Sequence, residues 1–202
     1  MQQFSDLAIT PLVLSALKKL NLIKPTPIQN LSIPLALNGK DLLGTAQTGT
    51  GKTYAFGIPL VNHLTLNKDS CALILTPTRE LALQVLKALK DLTSNKNNLD
   101  SALIIGGDSI QKQLRQLKRA RLVVGTPGRM QDHLRRKSLK LNKFDFLVLD
   151  ETDRMLDMGF VDDIKSIIEK LPTHQTLLFS ATLPKKIADM AKKFMVDPQR
   201  VN

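Results

Sequence analysis

The stretch Ala46-Gln47-Thr48-Gly49-Thr50-Gly51-Lys52-Thr53 most constrains the fold. An apolar pair, Leu42-Leu43, precedes it and an amphipathic run, Tyr54 to Val61, follows it, so the order reads strand, tight loop, helix. Gly49 and Gly51 let such a loop close around an anion with its N–H groups turned inward, and the helix aims the positive end of its dipole at the same point. Lys52 is then placed to reach the β- and γ-phosphates of a nucleotide, and the Thr53 hydroxyl to ligate Mg²⁺. Ala46 departs from the general pattern G-x-x-x-x-G-K-[ST]. The bland alternative is a glycine-rich turn with a surface lysine, which the strand-loop-helix context disfavours.

A hydrophobic strand ending in two acids, Phe146-Leu147-Val148-Leu149-Asp150-Glu151, is the second chemical element. Asp150 can hold Mg²⁺ directly or through water, and Glu151 can orient and deprotonate an attacking water. Alone, such a pair is more often a helix cap; with a phosphate loop upstream, nucleotide hydrolysis is the stronger reading.

Six short apolar runs alternate with helical periodicity: Leu42-Thr45, Ala72-Thr76, Ala102-Ile105, Leu122-Gly125, Phe146-Leu149 and Leu177-Ser180. The central runs are apolar on both faces, as a parallel sheet covered on each side requires, so the expected fold is α/β, doubly wound and mostly parallel. Thr10-Pro11 opens a helix to about Leu20, and Pro25-Thr26-Pro27 starts another over Ile28 to Leu37, closed by Gly39. Ser94 to Asn98 reads as a mobile loop. The 202 residues fit one domain, no run approaches a membrane span, and the start lacks a secretory signal, so a soluble, cytoplasmic, monomeric protein is expected. Cys71 sits in an apolar run and reads as a core thiol; His63, His133 and His174 lack metal-ligand spacing. The net charge of +11, from 29 basic against 18 acidic residues, favours polyanion partners, although solubility alone could explain it.

These residues resemble the DEAD-box family of ATP-dependent RNA helicases, and the likeness covers essentially all of residues 1–202 as the amino-terminal RecA-like, P-loop NTPase lobe. Residues 1–38 carry Pro25-Thr26-Pro27-Ile28-Gln29, similar to the family's adenine-reading Q motif; the resemblance implies that Gln29 reads the adenine edge, supported by Pro27, Leu22 and the upstream aromatic Phe4. Ala46 at the head of the phosphate loop is common in this family. Asp150-Glu151-Thr152-Asp153 occupies the signature position, and Ser180-Ala181-Thr182 resembles the coupling motif that in relatives hydrogen-bonds the last Asp of the signature. Pro77-Thr78-Arg79, Gly106-Gly107 and Thr126-Pro127-Gly128-Arg129 resemble three elements that grip single-stranded or duplex RNA by its backbone. Each alone could be a cap or a turn; the three in order point to phosphate contacts without base reading.

Three departures stand out. Thr152 replaces the signature alanine, with modest consequences expected for how Asp153 meets its partners. Asn21-Leu22 replace Gly and an aromatic, which predicts weaker adenine binding. The family's second lobe is absent from this sequence, so the resemblance implies a lobe that binds ATP and Mg²⁺ but hydrolyses and unwinds poorly by itself. A DNA helicase or translocase lobe, or a non-hydrolysing RNA-binding scaffold, are the competing readings.

Overall fold

The computed structural model describes residues 3–47, 49–93 and 99–202. Two short helices, α1 (Pro11–Lys19) and α2 (Pro27–Leu37), precede an alternation of strands and helices. β1 (Leu42–Thr45) leads through the phosphate loop to α3 (Lys52–Leu66), then β2 (Cys71–Leu75), α4 (Arg79–Thr93), β3 (Ser101–Ile104), α5 (Ile110–Leu117), β4 (Leu122–Gly125) and α6 (Pro127–Arg135). The chain continues with β5 (Phe144–Leu149), α7 (Thr152–Asp157), α8 (Val161–Ile168), β6 (Gln175–Ser180), α9 (Lys185–Phe194) and β7 (Gln199–Val201).

The seven strands form one sheet in the order β3-β4-β2-β5-β6-β1-β7, every pairing parallel. Because side chains alternate along a strand, the sheet feeds two cores. Leu42, Ile74, Val124, Val148 and Phe179 face α1 to α4; Leu43, Leu73, Val123, Leu147 and Leu178 face α6 to α9. Neighbours β1 and β6 thus send their chains to opposite faces, through α3 and α9, which opens a crevice beyond their carboxyl ends. The Phe179 ring packs directly on the β1 backbone there: a Cβ on Gly44 would lie 2.6 Å from it.

The expected strands are all present, within one or two residues of their predicted ends. β7 was not expected; it pairs Leu42↔Gln199 onto β1 and is held by buried Asp41, whose carboxylate accepts N–H groups from Thr176 (2.7 Å) and Val196 (2.7 Å). The loop expected at Ser94 to Asn98 lies outside the described residues. Among the described residues no helix is long and apolar enough to cross a membrane.

Asn21 explains one sequence departure. It adopts φ 55°, with its N–H on Lys18 O (3.1 Å) and that of Leu22 on Leu17 O (2.9 Å). That is a Schellman ending for α1, which needs a left-handed residue, and Asn is the usual substitute for Gly there.

Candidate functional site

The phosphate loop turns on two left-handed glycines, Gly49 (φ 86°) and Gly51 (φ 93°), and is pinned where the Thr50 hydroxyl donates to Gln47 O (2.8 Å). Thr48 lies outside the described residues. Lys52 opens α3, is buried, and its ammonium donates to Ala46 O at 3.0 Å; Thr53 follows it half-buried. Gln29 reaches the same loop from the first turn of α2: its amide donates to Gly51 O (2.9 Å) and accepts from Thr26 N (3.0 Å). The side chain has one N–H and one lone pair left for another partner. A Cβ on Gly51 would lie 2.5 Å from that amide, so glycine is required for the contact as well as for the turn.

The other expected members of this region stand further out. Pro27 is exposed at the head of α2, whereas Leu22 is half-buried and packs on the core. Phe4, expected to serve the nucleotide, is buried in the core at 3% exposure, and its N–H donates to Ile23 O, which anchors the segment beside Leu22.

Asp150 and Glu151 leave β5 at the crevice. Asp150 is 2% exposed, and its Oδ1 is buried with no hydrogen-bond partner. Burial pushes its carboxyl up to about 6, opposed by the Lys52 charge and reinforced by Glu151 and Asp153. Glu151 sits at φ 50°, a left-handed conformation costly for a non-glycine residue and concentrated at functional sites. Its carboxylate is held by Arg154 at 2.7 Å.

Asp153 and the end of β6 form a tight unit. The Asp153 carboxylate accepts from Ala181 N (3.1 Å), Thr182 N (3.0 Å) and Thr182 Oγ1 (3.1 Å), and its N–H donates to Ser180 Oγ (3.2 Å). Burial acts to raise this carboxyl, but hydrogen bonds from Ser180, Thr182 and the Arg154 N–H outweigh it and hold the group below its ordinary value. Ser180 O accepts the Ala46 N–H (3.1 Å), so the phosphate loop and the acidic strand end meet at one residue. Thr152 is fully buried and donates to Phe179 O at 3.2 Å, alongside intact Asp153 contacts.

The remaining predicted residues converge beyond β2, β3 and β4. Pro77, Thr78, Arg79, Gly106, Thr126 and Arg129 line one groove of about 510 Å³. The Arg79 guanidinium lies over Gly106 and Gly107, where a Cβ on Gly107 (φ 78°) would overlap it. Arg129 donates to Asp108 O (3.3 Å), and its Nε lies 3.7 Å from Asp132. Pro127 and Gly128 form the first turn of α6 beside this groove, and Thr78 spends its hydroxyl capping α4 through Leu81 N (3.2 Å). Asp132, Met158 and Phe160 also line the groove and were missed; the only sequence signal was an apolar Met-Gly-Phe run just after the acidic strand end.

Two site regions thus share one sheet edge, with β5 between them, and no cluster of three or more His, Cys, Asp or Glu able to hold a metal occurs among the described residues. A cation at Asp150 would take most of its ligands from bound oxygens other than protein, which suits magnesium.

The family model for DEAD/DEAH box helicases matches residues 26–190. The chain is 46% identical over 201 residues to the ATP-dependent RNA helicase DeaD of Buchnera aphidicola, covering 98% of this chain and 33% of that protein. In structure it resembles a DEAD box protein from the hyperthermophile Methanococcus jannaschii (TM-score 0.94, 43% identity, 99% of this chain, 55% of that one). It also resembles a hypothetical ATP-dependent RNA helicase from Sulfolobus tokodaii (TM-score 0.89, 33% identity, 95% of this chain, 56% of that one). The chain spans a third of the curated relative and little more than half of each solved chain. With its doubly wound RecA-like sheet and the family model matched over residues 26–190, the chain belongs to the DEAD/DEAH box helicase family.

Proposed function

We propose that residues 1–202 are the amino-terminal, ATP-binding lobe of an ATP-dependent RNA helicase, which in the complete protein couples ATP binding and hydrolysis to RNA binding and local duplex unwinding. The observation that carries the reading is Asp150 Oδ1, a buried carboxylate oxygen without a partner, close enough to feel the Lys52 charge. Such a group costs stability unless something completes it.

Lys52 would exchange a neutral carbonyl, Ala46 O, for phosphate oxygens, a stronger charge-assisted bond. Asp150 and the Thr53 hydroxyl would hold Mg²⁺, which when bound neutralises developing charge between the phosphates. Glu151, fixed by Arg154 and by its own backbone, would orient water and take its proton. Gln29 would read adenine with its remaining donor and acceptor. Asp153 would relay the occupancy of the loop to the Ser180–Thr182 segment, since Ser180 touches both. Arg79 and Arg129, with the helix starts at Thr78 and Thr126, would grip RNA phosphates without reading bases.

The second lobe lies outside residues 1–202 in this reading. An arginine supplied across the cleft is worth about 10³ to 10⁵ in phosphoryl transfer, so this lobe should bind nucleotide and turn it over poorly. The test is ATP turnover with and without single-stranded RNA or DNA, beside ADP binding and a Lys52→Ala control. Nucleotide binding lost in Lys52→Ala, with almost no turnover in either protein, supports the lobe. RNA-stimulated turnover by the native chain would show that the lobe completes its own site, and equal binding by Lys52→Ala would favour a scaffold.

A further inference from the structure

We infer that the cations carried by α5 and by the carboxyl end of α6 form a second phosphate-binding surface, which takes the backbone of RNA flanking the stretch held in the groove. The inference rests on the RNA-binding reading above. Both helices start at that groove: α5 follows Gly106 to Ser109, and α6 follows Thr126. Both run toward the amino ends of the strands, and they are held together by His133 Nε2 against Gln113 Oε1 at 3.0 Å. Basic residues on them therefore form one course that leads away from Arg79 and Arg129. The eight residues of α5 rise about 12 Å, enough to meet several successive phosphates.

Lys112, nearest the groove, is paired with Asp108 (3.0 Å). Beyond it Arg115, Lys118 and Arg119 are exposed, as are Arg135, Arg136 and Lys137 at the end of α6. Lys140 and Lys143 continue the course around a cavity of about 240 Å³ lined also by Leu117, Ala120 and Ser138. None of these eight cations has a carboxylate within ion-pair distance among the described residues. Arg121 differs: its guanidinium is spent on Ser70 O, Leu64 O and Asn67 O, so it belongs to the fold.

Neighbouring acids do not pair with these cations. Asp132 leans on Arg129, and Asp145 is engaged by His63 (3.1 Å) and Ser70 (2.6 Å). Asp100 meets Arg121 through its backbone carbonyl alone (2.8 Å), and its carboxylate forms no ion pair with any of the eight cations among the described residues. A merely solvated surface intersperses charges of both signs, because like charges packed together repel in the folded state. Eight unpaired cations along one course instead match a polyanion.

The test is a variant of this chain, Arg115→Gln, Lys118→Gln, Arg119→Gln, Arg136→Gln and Lys137→Gln together, titrated by fluorescence anisotropy over a range of salt. One probe is a single strand of roughly five nucleotides, the short end of backbone-tracking sites; the other is that strand extended by a hairpin duplex. The variant should bind the short probe within twofold of the native chain, bind the extended probe at least tenfold more weakly, and lose about 0.9 of salt slope per phosphate contact removed. Equal affinity of native and variant for the extended probe, or an equal loss on both probes, overturns the inference. Arg79→Ala with Arg129→Ala should weaken the short probe; if it does not, the groove reading fails, while the variant's effect on the extended probe is read separately. Loss of pelleting with phosphatidylglycerol vesicles, with RNA binding kept, would assign the course to a membrane surface and also overturn it. Lys140→Gln with Lys143→Gln, both exposed, repeats the comparison should the larger variant melt early.

Discussion

Two aspartates three residues apart in the signature respond to pH with opposite sign. Asp150 has its carboxyl raised to about 6 by burial, against a reference of 3.8, so the folded state takes up protons in that window. Its neutral form is the stable one: the native state is least penalised below pH 3.8 and loses stability as pH rises through about 6. Without metal or nucleotide, Asp150→Asn should therefore gain up to about 3 kcal/mol over the native chain at pH 7.5, and the gain should vanish near pH 4. Asp153 is held below 3.8, so its contribution is full above that value and is lost as pH falls through the folded pKa; Asp153→Asn should cost stability at pH 7 and little in strong acid. Urea melts across pH decide the matter, and parallel curves for the two variants would contradict both assignments. Thr152 makes a third case. Its hydroxyl ties the end of β5 to Phe179 O, whereas the Asp153 bonds to Ser180 and Thr182 do not pass through it. Thr152→Ala should cost about 1 kcal/mol, with ADP affinity changed less than twofold by titration.

Among the elements, those bounded by local chemistry were legible and those made by pairing at a distance were not. Phe146 to Leu149 and Leu177 to Leu178 are apolar on both faces, which only a covered parallel strand tolerates, and Pro11 and Pro27 mark helix starts directly. β7 reads Gln-Arg-Val and has no such signature; it exists because β1 offers an open edge and Asp41 fixes its approach. The loop and acid residues of the site were legible because their spacing is their chemistry. Glu151 and Arg154 stand at the i,i+3 spacing that a helix start brings together, whereas the bond from Gln29 to Gly51, between residues 22 apart, depends on packing no pattern reports. The relay joining α5 to α6 is of the same kind. Gln113 donates to Ile105 O (2.8 Å) and accepts at His133, whose Nδ1 meets Ser138 Oγ (2.8 Å), so one chain of bonds ties the segment before α5 to the carboxyl end of α6. Gln113→Ala and His133→Ala should each cost about 2 kcal/mol, and the double variant much less than their sum, since either change alone strands a buried polar group. A simple sum in denaturant melts would mean that the two side chains act independently.

At the scale of the whole lobe, the strand order separates the two regions. The nucleotide crevice lies beyond β1, β6 and β5, the groove beyond β2, β4 and β3, and the parallel pairings between them are continuous. Two sites influence each other only through an element that has two arrangements, which each ligand biases. On the nucleotide side the Ser180–Asp153 unit touches the phosphate loop through Ser180 O, but its hydrogen bonds end at Thr182 without reaching Arg79 or Arg129. A second lobe closing on both regions would supply the missing connection by making ligand-bound and open states differ. This lobe alone should consequently bind fluorescent ADP with a dissociation constant that changes less than about twofold when single-stranded RNA is saturating, well below the 5- to 150-fold typical of allosteric coupling. The same titration on a protein carrying both lobes should show coupling well outside that limit. A tenfold shift in the lobe alone would mean that the sheet itself transmits the signal, and the segment from Ser180 to Thr182 would be the first place to look for its second arrangement.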